Sequence, residues 1–227
     1  MREIDVIAHI HTDFSSKFGI PRQSGLADAL KGTIVFTAGY RDPSALRGLD
    51  GFSHLWLIWQ FSESVMERWS PTVKPPRLGG NVRMGVFATR SPFRPNPLGL
   101  SCVRLERVEL AGPEGPVLHV AGADLLDGTP IYDIKPYLPY VDSHPDALGG
   151  FTDEIDYPHL EICFPSELLS MIPAGKREAL FQVLSQDPRP GYRHKSDGRR
   201  YGVEFAGFDV RFTVEEDRLN VTDVEKL

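Results

Sequence analysis

The chain has 227 residues, 41% of them hydrophobic and 25% charged, with a formal net charge of −6 and only two cysteines. No run approaches the roughly twenty apolar residues of a membrane-spanning helix. Cys102 and Cys163 stand in separate apolar runs, which reads as core filling in a reducing cytoplasm rather than a disulfide framework. A negative chain is not one that coats nucleic acid non-specifically.

The first segment, MREIDVIAHIHTDF, carries acids among alternating apolar residues, so it reads as a strand over 4–11 rather than a signal peptide. Further strands are predicted over 32–36, 53–61, 82–88, 101–110, 117–121 and 130–134. The turns between them include KPPRLGGN (74–81), AGPEG (111–115) and LDGTP (126–130). Residues 27–31 allow one helical turn at most. Many short strands with Pro/Gly turns predict a mainly β fold, a barrel or sandwich, and disfavour a doubly wound sheet. The stretch 142–157 (DSHPDALGGFTDEIDY) turns small and acidic, as a linker does. Beyond it, 165–187 has helical spacing with Ser166 as N-cap and a break at Pro173-Ala174-Gly175, and 200–223 alternates as two or three strands. The expected organisation is a β-barrel over 1–145 and a linker with a small α+β unit over 146–227.

Charge is unevenly distributed. Between Arg68 and Leu105 there is no acid, while Arg68, Lys74, Arg77, Arg83, Arg90, Arg94 and Arg104 make a +7 block. Within it, ATRSPFRPNP (88–97) sets Arg90 and Arg94 among three X-Pro steps, so both guanidiniums stand on a stiff loop. Such an excess suits an anionic partner, or acids supplied from elsewhere in the fold.

Dinucleotide, P-loop and common zinc motifs are absent: there is no GxGxxG, GxxxxGK[ST], HExxH or CxxC. His9 and His11 share a strand face and could meet one metal, but no further ligand cluster supports them. His54 sits in the apolar run GFSHLWLIW as a hydrogen-bonded histidine of the core or its edge. In LLDGTPIYDIKPYLP (125–139), Asp133, Lys135 and Tyr137 fall on one face of a strand: either a solvent-facing Asp–Lys pair or an acid, an amine and a phenol beside a site. QDPRPGY (186–192), followed by Arg193, His194, Lys195, Arg199 and Arg200, is either a solvated basic loop or a grip on single-stranded RNA.

The segments FGIPRQ, RGLDGFSHLWLIW, PPRLGG, RMGVFATRSPFRPNPLGLS, DLLDGTPIYDIKPYLPY and QDPRPGY together resemble the TsaA-like family over nearly the whole chain. The resemblance implies a single antiparallel β-barrel with a small C-terminal domain, working as a homodimer. It implies S-adenosylmethionine as methyl donor and the N6 nitrogen of N6-threonylcarbamoyladenosine, at position 37 in the anticodon loop of a threonine tRNA, as acceptor. Carried over by motif, the cofactor contacts are Pro21, Arg22, Gln23, Ser62, Glu63, Arg90, Leu100, Asp127, Gly128, Thr129 and Pro130. A carboxylate clamp falls to Arg22 or Arg90, and the DGTP turn is expected to present backbone amides and one carboxylate to the adenosine. Candidates for removing the acceptor proton are Asp133 first, then Tyr137 and Tyr140. Arg94, Lys135, Arg189 and Arg193 are candidates for holding the substrate, and no metal is expected. The competing readings are the same barrel acting on another acceptor, a non-catalytic RNA-binding barrel, and a metal hydrolase using His9 and His11.

Overall fold

Strict in–out alternation along the first 136 residues closes a barrel. A computed structural model describes residues 3–64, 68–75, 78, 82–155, 159–189 and 198–227. Its strands are β1 (Ala8–His11), β2 (Lys31–Phe36), β3 (His54–Gln60), the short pair β4 (Thr72–Val73) and β5 (Met84–Gly85), β6 (Leu98–Glu109), β7 (Val117–Ala121) and β8 (Thr129–Pro136). Six of them form a closed barrel in the order β1-β2-β7-β6-β3-β8, with every pairing antiparallel. Bulges at Tyr132 on β8, opposite Ile58/Trp59, and at Leu105/Arg107 on β6 add the local twist that closure requires.

The pattern is plainest on β3, where Leu55, Leu57 and Trp59 are buried and His54, Trp56, Ile58 and Gln60 face outward. Opposite it, Gly99, Ser101 and Val103 of β6 face inward. A Cβ on Gly99 would stand 2.2 Å from the Trp59 ring, so glycine is what admits the indole there. The expected strand over 82–88 shrinks to β5 and a 3₁₀ turn over Val86–Ala88, because only β4 is available to pair with it.

After the barrel, a helical turn α1 (Pro139–Asp142) folds back on β3: the Trp56 indole donates to Asp142 at 3.1 Å. The C-terminal unit contains β9 (Glu161–Cys163), the helices α2 (Ser166–Met171) and α3 (Ala174–Ser185), and the strands β10 (Tyr201–Phe205), β11 (Phe208–Glu215) and β12 (Arg218–Lys226). The sheet order is β10-β11-β12-β9, with β9 parallel to β12. Ser166 is the first residue of α2 and makes no cap bond; Pro165 holds the cap position and Pro173 separates the helices. Cys163 is exposed and not core filling, since it lies on the short β9, which pairs only with β12.

The core of this unit includes residues far from it in sequence. Phe14, Ala27 and Leu30, from the connection between β1 and β2, pack with Ile172, Leu180 and Phe205. The rings of Phe14 and Phe205 meet edge-on at 5.5 Å. Lys176 on α3 donates to both oxygens of Asp13, at 2.8 and 2.7 Å, and the amide of Ala206 donates to the Asp13 carbonyl. Residues 12–30 therefore join the barrel to the C-terminal unit. Phe14→Ala should cost about 3–5 kcal/mol, the usual range for emptying a buried phenylalanine site. Guanidinium denaturation checks this, and a loss under about 1 kcal/mol would mean that the joint is held elsewhere.

Candidate functional site

The barrel topology gathers the singled-out motifs at one end. The chain leaves β1, β3 and β7 at that end and re-enters at β2, β6 and β8. Hence PRQ (21–23), the 62–64 turn, ATRSPFRPNP (88–97) and DGTP (127–130) all lie on neighbouring connections or strand starts. They are as much as 109 residues apart in sequence.

Hydrogen bonds knit these connections together. The Thr12 amide donates to Asp127 Oδ1 at 2.9 Å, and His11 Nδ1 lies 3.3 Å from the same oxygen. Ser24 accepts from the Cys102 amide at 3.0 Å, and the Gly25 amide donates to the Gly122 carbonyl at 2.8 Å. Arg90 donates through Nη1 to the side-chain oxygen of Gln23, joining ATRS to PRQ. Lys17 donates to the Glu63 carbonyl at 2.7 Å and lies 3.3 Å from its carboxylate.

Beneath them runs a partly buried polar chain. The Trp59 indole donates to Ser101 Oγ at 2.9 Å, and Ser101 in turn donates to Asp124 Oδ1 at 2.6 Å. Burial pushes the Asp124 carboxyl above its usual value, against the Ser101 hydroxyl, its own amide, the Arg90 charge and the Ser24 amide, all of which favour the ionised form. Burial, with the nearby Asp142 charge second, also raises the Cys102 thiol, so it stays protonated at neutral pH and is a poor nucleophile.

The structure sorts the sequence candidates. Gln23, Arg90, Ser62, Glu63, Asp127, Gly128, Thr129 and Pro130 share the one barrel end, with Pro21 buried beneath it. Leu100 faces outward near the start of β6 and is 55% exposed. Arg22 turns toward the C-terminal unit and donates to the carbonyls of Asp187 and Arg189, at 3.4 and 3.3 Å. Arg90, by contrast, stays among the barrel-end loops through its bond to Gln23. The DGTP amides are not the donors expected from sequence. Those of Asp127, Gly128 and Thr129 already donate to Phe14, Ile10 and Leu126, and proline has none. Gly128, at φ +75°, supplies the left-handed residue of the turn, and what the turn presents is the Asp127 carboxylate.

Asp133 and Lys135 lie outward on β8, 2.8 Å apart as an exposed pair. Asp133 also lines a cleft of about 600 Å³ together with Asp5, Tyr40, Ile58, Leu98 and Tyr132. Tyr137 and Tyr140 sit at the other end of the barrel. Tyr137 bonds the His54 carbonyl at the start of β3 and packs on Trp56, about 26 Å of strand from Thr129 at 3.3 Å per residue. Neither tyrosine reaches the PRQ–DGTP end of its own chain, which corrects their placement as proton acceptors. Arg94 turns back on its own loop and donates to the carbonyls of Thr89 and Ser91 at 2.8 and 3.4 Å. Arg189 is 5% exposed and clasps Asp187 with two bonds of 2.7 and 2.8 Å. It is a nearly buried ion pair, its guanidinium committed to Asp187. Arg193 lies outside the described residues. Other C-terminal arginines pair with acids: Arg200 with Asp223, Arg211 with Asp209 and Glu225, and Arg218 with Glu161.

Asp124, Ser101, Ser24 and Trp59 escaped the sequence reading. The available signal was an acid closing the apolar run VLHVAGADLL, three residues before DGTP. Among the described residues no three His, Cys, Asp or Glu side chains are grouped to hold a metal, and no helix is long and apolar enough to cross a membrane.

Comparison with known proteins agrees with this geometry. A family model described as the tRNA-methyltransferase O N-terminal domain matches residues 9–143, and one described as the TrmO C-terminal domain matches residues 160–227. The tRNA (adenine(37)-N6)-methyltransferase of Escherichia coli (strain K12) is 41% identical over 230 residues, covering 98% of this chain and 97% of that protein. A putative S-adenosylmethionine-dependent methyltransferase of Pseudomonas aeruginosa, RcsF, is also 41% identical, over 97% of this chain and 96% of its own. The crystal structure of TrmO from Pseudomonas aeruginosa superposes with a TM-score of 0.77 at 35% identity, covering 99% of both chains. With models matching both halves and relatives aligned from end to end, the chain belongs to the tRNA-methyltransferase O family.

Proposed function

We propose that this chain transfers a methyl group from S-adenosylmethionine to the N6 nitrogen of adenosine 37 in a tRNA, with the threonylcarbamoyl-modified adenosine of a threonine tRNA as acceptor. The observation that carries this reading is the meeting of PRQ, Arg90 and DGTP at one barrel end, in a chain aligned end to end with a tRNA (adenine(37)-N6)-methyltransferase.

The residues present fit the cofactor. It carries a carboxylate, an ammonium, a ribose diol and an adenine face. The barrel end holds the Arg90 guanidinium, the Asp127 carboxylate, the Gln23 amide and the exposed Leu100. When bound, the cofactor supplies an electrophilic methyl group on a positively charged sulfur. Arg90, steadied by Gln23, holds the carboxylate with paired donors. Asp127, fixed by the Thr12 amide, accepts from hydroxyl or ammonium groups. The acceptor nitrogen is acylated, so a carboxylate close to it can take its proton. Asp133 is that group, with Lys135 beside it as the cation for the threonine carboxylate.

The active form is a homodimer, supported by apolar surface on the elements that bear the site. Leu100, Phe87 and Trp69 are exposed there, Phe87 at 74%. A tRNA substrate and a reduced Cys102 and Cys163 suit the cytoplasm.

Mass spectrometry of nucleosides from tRNA incubated with the protein and cofactor is the direct test. A 14-dalton gain on threonylcarbamoyladenosine is expected, and none on tRNA lacking that group. Binding of tRNA without cofactor binding or methylation would favour the RNA-binding barrel instead. Arg90→Glu should weaken cofactor binding in calorimetry by about 100-fold or more, as loss and reversal of a charge-assisted pair does. Asp133→Asn should lower turnover by about 10²-fold with cofactor affinity unchanged, within the usual range for a general base. Turnover close to wild type would remove Asp133 from the mechanism.

A further inference from the structure

We propose that Lys17 is a positioning residue for the cofactor end of the barrel: its ammonium caps the 62–64 turn and so holds Ser62 and Glu63 in register with the segment that carries PRQ. The inference rests on the cofactor reading above and concerns a residue that no motif there assigns.

Lys17 stands on a stretch whose backbone is pinned on both sides. Before it, Lys176 clasps Asp13, the buried Phe14 ring meets Phe205, and the Ser15 hydroxyl donates to Glu204 at 2.8 Å. After it, Phe18 and Ile20 pack on the C-terminal core. Gly19, at φ +95°, lies so close that a Cβ on it would stand 2.7 Å from Val203 Cγ1. The C-terminal unit thus fixes where the Lys17 side chain starts, and that side chain crosses to the barrel.

There the ammonium meets three acceptors of one turn. It donates to the Glu63 carbonyl at 2.7 Å and to Ser64 Oγ at 3.4 Å, and it lies 3.3 Å from the Glu63 carboxylate. An ammonium has three protons, so the turn can engage all of them, and a carbonyl at the end of a helical turn suits a cation. On its other flank the turn is tied to ATRSPFRPNP, the Phe61 amide donating to the Pro97 carbonyl at 2.9 Å. Lys17 completes a set of three ties: Thr12 reaches Asp127, Gln23 reaches Arg90, and Lys17 reaches the 62–64 turn. Each runs from the β1–β2 connection to one of the other two connections at this end.

Lys17 and Glu63 are both about half exposed, so their pairing adds little to global stability. What the ammonium fixes is local. Without it the turn keeps its Phe61 and Pro97 bonds but loses its tie to the PRQ segment. The loss therefore falls on cofactor affinity and on the order of the ligand-free turn, not on the melting temperature.

The experiment compares wild type, Lys17→Met and Lys17→Arg by calorimetric titration with S-adenosylmethionine and by amide hydrogen exchange of the ligand-free proteins, with thermal melting as the check on folding. Lys17→Met keeps the stem without the donors. It should bind the cofactor about tenfold more weakly and exchange the Phe61 and Ser64 amides about fivefold faster, as loss of a charge-assisted bond and of local order does. Lys17→Arg keeps charge and donors on an exposed side chain, and should restore both readouts to within about threefold of wild type. Wild-type affinity in a folded Lys17→Met protein would overturn the inference. So would weaker binding with ligand-free exchange unchanged, which would make Lys17 a direct cofactor contact, and so would a Lys17→Arg protein as impaired as Lys17→Met. Should Lys17→Met not fold, Lys17→Gln, shorter and uncharged, takes its place with the same expectations. No binding by wild type would instead overturn the cofactor reading, and the inference with it.

Discussion

The β1–β2 connection is the constraint on which the rest of the molecule depends. Residues 12–30 contribute Phe14, Ala27 and Leu30 to the C-terminal core while Thr12, Ser24 and Gly25 bond to the barrel. One segment thus belongs to two packed units. Its backbone cannot shift toward either without opening the other, and PRQ stands at its centre. A loop so held gives a binding site its order before any ligand arrives, which lowers the entropic cost of binding.

Closure of the barrel does the rest. Six antiparallel strands with alternating direction send three connections to one end and two to the other, and the end with three receives every motif proposed above to bear on the cofactor. The interior is filled: Trp59 occupies the space that Gly99 leaves, and its indole finds a partner in Ser101. The filled interior leaves the rim, not the lumen, for the cofactor site proposed above. The C-terminal unit contributes by bracing. Arg22 and the Asp187–Arg189 pair lie against each other where residues 187–189 meet PRQ.

The +7 block changes meaning once folded. Arg104 pairs with Glu106, Arg94 bonds its own loop, Arg83 bonds Thr72, and Arg90 meets Gln23. Local pairing and burial thus convert a long-range field into fixed individual groups, and Arg90 is the guanidinium placed among the cofactor elements. The arginines of the C-terminal sheet follow the same pattern, Arg200 paired with Asp223, Arg211 with Glu225 and Arg218 with Glu161.

Much was legible in the residues alone. Short strands with Pro/Gly turns gave a barrel or sandwich, Pro173 gave the helix break, and the long motifs gave the family and with it the barrel, because local periodicity and stiff Pro/Gly turns act over a few residues. Boundaries went astray where pairing partners decide them, as at 82–88 and at Cys163. The candidate site was legible as separate segments but not as an arrangement. That Arg22 turns away, that the DGTP amides are already bonded, that Tyr137 and Tyr140 belong to the far end, and that Asp124 accepts from Ser101 all depend on contacts between residues distant in sequence. The sequence by itself determined which groups and turns the chain possesses. Only closure of the barrel and docking of 12–30 decided which of them face one another, because the energies of burial and pairing exist only once those surfaces meet.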